Sequence, residues 1–217
     1  MHRSSTPSSR FRRTALVAGV AALGIAVTMS AAAASAPSQS KAKLIIDTYS
    51  SWNGGSSVSP FGCPDSSTYG QVITIPAKTK KLTKFSFYMA GQAGAGQSMV
   101  VRGEVYNWSG SGATGSAVAE SKPQTIAFGD ASIHAVTFKT PKAKVTPGKQ
   151  YVIFASIDKD YEKCTGNYGL WWASLDGSAY SGGDFAFQNN AGNEANWTGA
   201  SWNPIPIDAA MQVYGKK

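Results

Sequence analysis

From residue 44 onward, hydrophobic and polar residues alternate in short runs, each stopped by glycine, proline, serine or asparagine. Residues 82–90 set Phe85, Phe87 and Met89 against Lys84, Ser86 and Tyr88. Residues 98–108 set Val101, Gly103 and Val105 against Arg102, Glu104 and Tyr106. A period of two puts successive side chains on opposite faces of an extended strand. The same reading predicts strands at 44–49, 69–75, 124–128, 133–138, 150–157, 168–175, 184–188 and 207–214. Glycine- and serine-rich loops at 91–97 and 109–116 separate them, with a turn at Gly129-Asp130. Thr146-Pro147-Gly148-Lys149 carries a type II turn: proline presets φ at the second position and glycine supplies φ > 0 at the third. About ten short strands, and no helical pattern able to cross between parallel partners, predict an all-β fold. We expect a two-sheet antiparallel β-sandwich, jelly-roll-like, spanning 44–217.

The first 36 residues follow another pattern. Arg3, Arg10, Arg12 and Arg13 precede an apolar run over 15–29, which gives way to the small residues of 31–36. A basic head, a short apolar middle and an Ala-x-Ala tail are the marks of a secretory signal peptide, here 1–36, with cleavage between Ala33 and Pro37. A transmembrane anchor needs about 20 apolar residues, more than this run supplies. Arg12-Arg13 also loosely fits a twin-arginine export signal. Residues 37–43 read as a polar tether. The mature protein is therefore expected to be secreted and extracellular, with no integral membrane segment.

Export changes the reading of the cysteines. Cys63 and Cys164 both lie in loop-like contexts, and an even count in an oxidising compartment argues for one disulfide. It would close a loop of about 100 residues, worth on the order of 4 kcal/mol in the chain-entropy model. Charge excludes rather than assigns. The chain has 20 basic and 12 acidic residues; four of the basic ones lie in the leader and none of the acidic ones do, leaving 16 against 12. That is no nucleic-acid signature. The cluster Lys78, Lys80, Lys81 and Lys84 reads first as a solvated strand edge, and second as a weak contact for anionic polymers or lipid head groups.

Several segments resemble a known group. Tyr69-Gly70-Gln71-Val72-Ile73-Thr74-Ile75-Pro76, Leu82-Thr83-Lys84-Phe85-Ser86-Phe87, Val145-Thr146-Pro147-Gly148-Lys149-Gln150-Tyr151-Val152, Tyr180-Ser181-Gly182-Gly183-Asp184-Phe185 and Asp208-Ala209-Ala210 occur in that order. The pattern is similar to the small secreted β-sandwich domains of many bacterial exported and surface-anchored proteins. The resemblance implies a jelly roll similar to carbohydrate-binding modules, with no agreed catalytic residues to carry over. The apolar sorting tail often appended to such domains does not appear before Lys217, which the resemblance reads as release rather than anchoring.

The machinery for catalysis is sparse. After the leader the one histidine is His134, in phase with Val136 and Phe138, and no Gly-x-Ser-x-Gly elbow supplies a nucleophile. Asp158, Asp160 and Glu162 are spaced by two and read as a solvated loop following a strand; as a carboxylate set they are the candidates for a small glycan hydrolase. Asp176 and Asp184 flank a Gly/Ser loop and could, with backbone carbonyls, hold calcium. No other cofactor is expected. Aromatics are the stronger signal. Trp52, Trp108, Trp197 and Trp202 sit beside Asn, Ser or Thr in loop contexts, and sugar rings stack on exposed indoles. Trp171 and Trp172 point to opposite sides of one strand, so at least one belongs to the core. The leading expectation is a non-catalytic module binding polysaccharide or cell-wall glycan through Trp52, Trp108, Trp197 and Trp202, with Asn53, Asn107 and Asn203 as polar partners. The alternative is a structural or protein-interaction component of the cell surface.

Overall fold

A computed structural model of the chain describes residues 41–63, 67–91, 98–127, 131–163, 168–177 and 179–217. The leader expected over 1–36, most of the tether, the loop over 92–97 and the Gly129-Asp130 turn lie outside the described residues.

Fourteen strands run through the described residues: β1 (Lys43–Asp47), β2 (Ser57–Cys63), β3 (Thr68–Thr74), β4 (Lys81–Gly91), β5 (Ser98–Trp108), β6 (Ala113–Glu120), β7 (Gln124–Ala127), β8 (His134–Lys139), β9 (Gln150–Ser156), β10 (Tyr168–Asp176), β11 (Phe185–Gln188), β12 (Asn203–Ile205), β13 (Ile207–Ala209) and β14 (Met211–Lys216). The first sheet has the order β1-β14-β4-β10-β13, with β2 on β10 and β8 on β4. The second has the order β12-β11-β3-β9-β5-β6, with β7 on β5. Every pairing is antiparallel. The sheets pack face to face as the expected β-sandwich.

The alternation of period two explains the core. Phe85, Phe87 and Met89 of β4, Val101 and Val105 of β5, Ile153 of β9, Phe138 of β8 and Trp172 of β10 meet in one buried cluster between the sheets. Each such side chain contributes about 1.5–3 kcal/mol on leaving water. Gly103 of β5 is required there: a Cβ at this position would run into the ring and Cβ of Phe138. Gly103→Ala should lower stability by about 1–3 kcal/mol, read from the urea midpoint at unchanged m-value.

Four departures from the expected strand list have physical reasons. β2 carries Pro60, which lacks a ladder donor; the strand pairs with β10 alone, and proline is tolerated at such an edge. β6 falls partly on an expected loop because its Ala, Gly, Ser and Thr residues hide a strand. Its pairing with β5 shifts register between Val105 and Asn107. β12 is only three residues long. The expected strand over 207–214 is two strands: β13 pairs with β10 and β14 with β1 and β4. Ala210 is the joint, its N–H donating to Ala173 O at 2.8 Å.

The type II turn forms as predicted. Gly148 has φ +76°, and Lys149 N donates to Thr146 O at 3.2 Å. Cys63 ends β2 opposite Tyr168 and is buried. No described cysteine is free, and the expected partner, Cys164, lies outside the described residues.

Candidate functional site

The four candidate tryptophans do not share a surface, which corrects the expectation of one aromatic loop face. Trp197 is 2% exposed and Trp202 3%. Both belong to a strap of chain over 189–202, with a single helical turn α1 (Asn196–Gly199), lying over the outer side of the second sheet. They pack with Val72, Tyr106, Val152 and Phe154. The Trp197 indole Nε1 donates to Asp158 Oδ2 at 2.6 Å and to Thr68 Oγ1 at 3.0 Å. The Trp202 indole donates to Trp197 O at 2.9 Å. Exposed indoles are expensive in water, and a strap that covers a sheet face takes up two of them. Trp108 is half-buried, edge-on to Trp202 at 5.9 Å, with Asn107 and Asn203 exposed. Trp52 lies with the other sheet.

The acidic trio is also corrected. Asp158 and Asp160 are not solvated: they are buried in a 3-10 segment, Asp158–Lys163, directly after β9. Only Glu162 is exposed. Asp158 Oδ2 takes three donors, from Trp197, Thr68 and Asn190. Asp160 Oδ2 accepts from Arg102 Nε at 3.0 Å.

Around them stands an ion network. Arg102 Nη1 donates to Glu120 Oε1 at 2.9 Å, and Lys159 Nζ reaches Glu120 Oε2 at 2.7 Å, Glu104 Oε1 at 3.5 Å and Glu194 Oε2 at 3.9 Å. Burial pulls the Arg102 and Lys159 pKa values down, but the carboxylates beside them prevail and hold both above their usual values. Burial raises Glu120, but Lys159 and Arg102 bring it below the ordinary range. Glu104 is different. It is 0% exposed, and neither oxygen has a hydrogen-bond partner among the described residues. Desolvation lifts its pKa from 4.5 to about 8, against the pull of Lys159. Glu104 is thus sealed beneath a network whose other members, Arg102, Glu120, Lys159 and Glu194, reach solvent. Reading by alternation placed Glu104 on the polar side of β5, with no local sign that a strap would cover that side.

The outer side of the first sheet carries a smaller buried cluster, Tyr88, Ala173, Leu175 and Ala210, with Tyr49, Trp52 and Ile133 packed half-buried against it. Tyr88 of β4 stacks on Tyr49 with centroids 3.4 Å apart and planes 2° apart; Tyr49 in turn lies 6.1 Å from Trp52 at 25°. Tyr88 and Tyr214 both donate to Gln212 Oε1, at 3.1 and 3.2 Å. Lys84 Nζ sits 4.1 Å over the Tyr214 ring. Burial, then the neighbouring Tyr49, Tyr214 and Asp47, raise the Tyr88 pKa. Beside this row Trp52 and Trp171 line a recess of about 390 Å³ with Ser56, Ala90, Ile133 and the backbone of Gly54 and Gly55.

The loop bearing Trp52 is built to stay in place. Asn53 Oδ1 accepts from Gly55 N at 2.9 Å and Ser56 N at 3.3 Å, an Asx turn that lets Gly54 adopt φ +86°. The Trp52 indole donates to Ser56 O at 2.8 Å, and Ser56 Oγ to Asp176 Oδ2 at 2.8 Å. Asn53 thus shapes the turn that presents the indole. Trp171 is the residue the sequence reading missed. Adjacent indoles on one strand face opposite ways, and Trp172, 1% exposed, takes the core. That leaves Trp171 half-buried on the outer side.

Asp176 is engaged by Ser56, Asp184 is exposed, and no group of three or more metal-ligating side chains occurs among the described residues. His134 is exposed at the start of edge strand β8; it stands opposite Met89, on the same face as Val136 and Phe138 as expected. No described helix is long and apolar enough to cross a membrane. The fold is that of a two-sheet β-sandwich with a strap over the outer side of its second sheet. Compared with protein-family models and with curated proteins, the chain matches none.

Proposed function

We propose that this chain is an exported binding module that holds a neutral polysaccharide or cell-wall glycan on the outer side of its first sheet. The observation that carries the reading is the recess at Trp52 and Trp171, continued by the Tyr49–Tyr88 stack and the Tyr214–Gln212 pair. Sugars offer flat C–H faces to such rings and hydroxyls to the phenols, amide and carbonyls beside them. Strand residues fix the half-buried Trp171 and Tyr214, and the buried Tyr88 backs Tyr49, so little ordering is needed on binding. The carboxylates at Asp158 and Asp160 are tied into structural hydrogen bonds, which argues for recognition without hydrolysis.

Retention on a panel of insoluble neutral polysaccharides is the test. Trp52→Ala and Trp171→Ala should each weaken retention about tenfold or more, as loss of a central aromatic anchor does, with thermal midpoints within a few degrees of wild type. No retention of the wild type on any glycan would overturn the reading. A second reading, an architectural module of the cell surface, is favoured by the burial of Trp197 and Trp202, and would then stand.

A further inference from the structure

Charge is divided along the sandwich. No Asp or Glu occurs between Asp65 and Glu104, between Asp130 and Asp158, or after Asp208. The fold gathers these three acid-free stretches at one end. Lys216 O accepts from Lys80 N at 2.9 Å, Lys80 O from Val145 N at 3.0 Å, and Lys149 O from Ile75 N at 3.0 Å. Lys81 bridges Lys144, and Lys84 stands opposite Lys139 in the β4–β8 ladder. Lys43 is opposite Gly215 on β14. Like charges placed opposite one another on neighbouring strands are destabilising, so the fold tolerates this arrangement rather than gaining from it.

No Asp or Glu lines the recess at the Lys43 and Lys216 end. Arg102 and Lys159 pair with Asp160, Glu104, Glu120 and Glu194. Those two sit at the far end of β9, whose seven residues separate Lys149 from the acidic segment. That distance is about 23 Å at 3.3 Å per residue, well beyond a Debye length of about 8 Å in physiological salt. The lysines also line open relief. Lys41, Lys43, Lys78 and Lys216 border a recess of about 390 Å³, and Lys122, Lys139 and Lys142 outnumber the single acid, Glu120, along a groove of about 770 Å³.

We propose that this lysine pole docks a soluble linear polyanion with phosphodiester groups repeated along its backbone. Charge complementarity selects the occupant. Lysine ammoniums are non-directional point charges suited to phosphate oxygens, and their spread over two depressions matches a chain better than a single small ion. The pole lacks what an anionic membrane face would use: Leu44 is the one large exposed hydrophobic residue among the described residues, too little for insertion. The inference is independent of the aromatic recess, because a neutral glycan would not need the pole and a polyphosphodiester would not need Trp52.

The experiment measures binding of poly(glycerol phosphate) to the purified protein across salt concentrations. With about five phosphate contacts, affinity should fall on the order of 100-fold between 50 and 200 mM salt. Lys142→Gln/Lys144→Gln should weaken binding roughly 20-fold near 0.1 M salt and flatten the salt slope by about 1.4. Thr125→Glu/Ala127→Glu changes net charge equally at exposed positions of β7 outside the pole and should leave binding within threefold of wild type. Three results would overturn the proposal. One is no binding at 50 mM salt. Another is equal loss in both double variants. The third is binding to phosphatidylglycerol vesicles or to single-stranded DNA that exceeds binding to the soluble polymer.

Discussion

Glu104→Gln should make the protein more stable at pH 9 and leave it nearly unchanged at pH 5. The unfolded chain releases this proton near 4.5, whereas the folded chain keeps it to about 8. Between those values the native state holds one proton more than the unfolded state. Stability therefore falls as pH rises through that window, by about 1.4 kcal/mol per pH unit from this group. Above pH 8 the folded protein carries a buried carboxylate whose closest cation, Lys159 Nζ, is a long 3.5 Å away.

Glutamine keeps the shape and removes the ionisation. The variant should flatten the pH dependence between 5 and 9 and raise the thermal midpoint at pH 9 by on the order of 10 °C, at 2–4 °C per kcal/mol for a domain of this size. Lys159→Met should move the other way at pH 9, because Lys159 also holds Glu120 at 2.7 Å. Thermal melts of both variants at pH 5, 7 and 9 decide the matter. An unchanged profile for Glu104→Gln would mean that Glu104 is ionised in the native state throughout.

The same residue shows where reading a sequence stops. Alternation located β4 and β5 and set Phe85 with Phe87 and Val101 with Val105 on one face each, the faces that meet in the core; β9, buried on both faces, shows instead as a hydrophobic run. The turn at Pro147-Gly148 was legible because its chemistry is local. What was hidden is non-local. Nothing in Arg102-Gly-Glu104 announces that residues 189–202 fold back over it. Trp197 and Trp202 look in sequence like exposed loop indoles because polar neighbours surround them, yet the strap turns them onto Phe154 and Tyr106. Trp171 was the reverse case, a strand residue freed for the surface because Trp172 took the interior. Strands that pair on one side only, such as β2 and β6, were hidden by proline and small residues, since an edge makes fewer demands on composition. The lysine pole was half visible. Its four-residue cluster at 78–84 was plain, but its partners at 139–149 and 216 arrive only through the β4–β8 and β4–β14 pairings.

Trp197→Ala should be the most damaging single substitution on the second sheet's outer side, and its damage should be to stability rather than to glycan binding. The ring packs edge-on against Phe154 at 5.0 Å and Tyr106 at 5.9 Å, and removing a buried indole typically costs about 3–5 kcal/mol. The loss also withdraws a 2.6 Å donor from Asp158 Oδ2, although Thr68 and Asn190 remain on that oxygen. The Trp202 indole keeps its acceptor, the backbone carbonyl of residue 197, so the damage is centred on the Trp197 ring. The expected result is a fall in thermal midpoint on the order of 10 °C, with loss of hydrogen-exchange protection concentrated over 189–202. Trp197→Phe keeps one aromatic ring in place, giving up the indole donor and part of the packing, and should cost less than Trp197→Ala, about 1–3 kcal/mol. Retention of a neutral glycan by Trp197→Phe should match wild type, since the recess at Trp52 and Trp171 on the other sheet is untouched. A Trp197→Ala protein within 1 kcal/mol of wild type would show that the strap unfolds separately from the sandwich. Glycan retention lost in Trp197→Phe but kept in Trp52→Ala would move the binding surface to the strapped side.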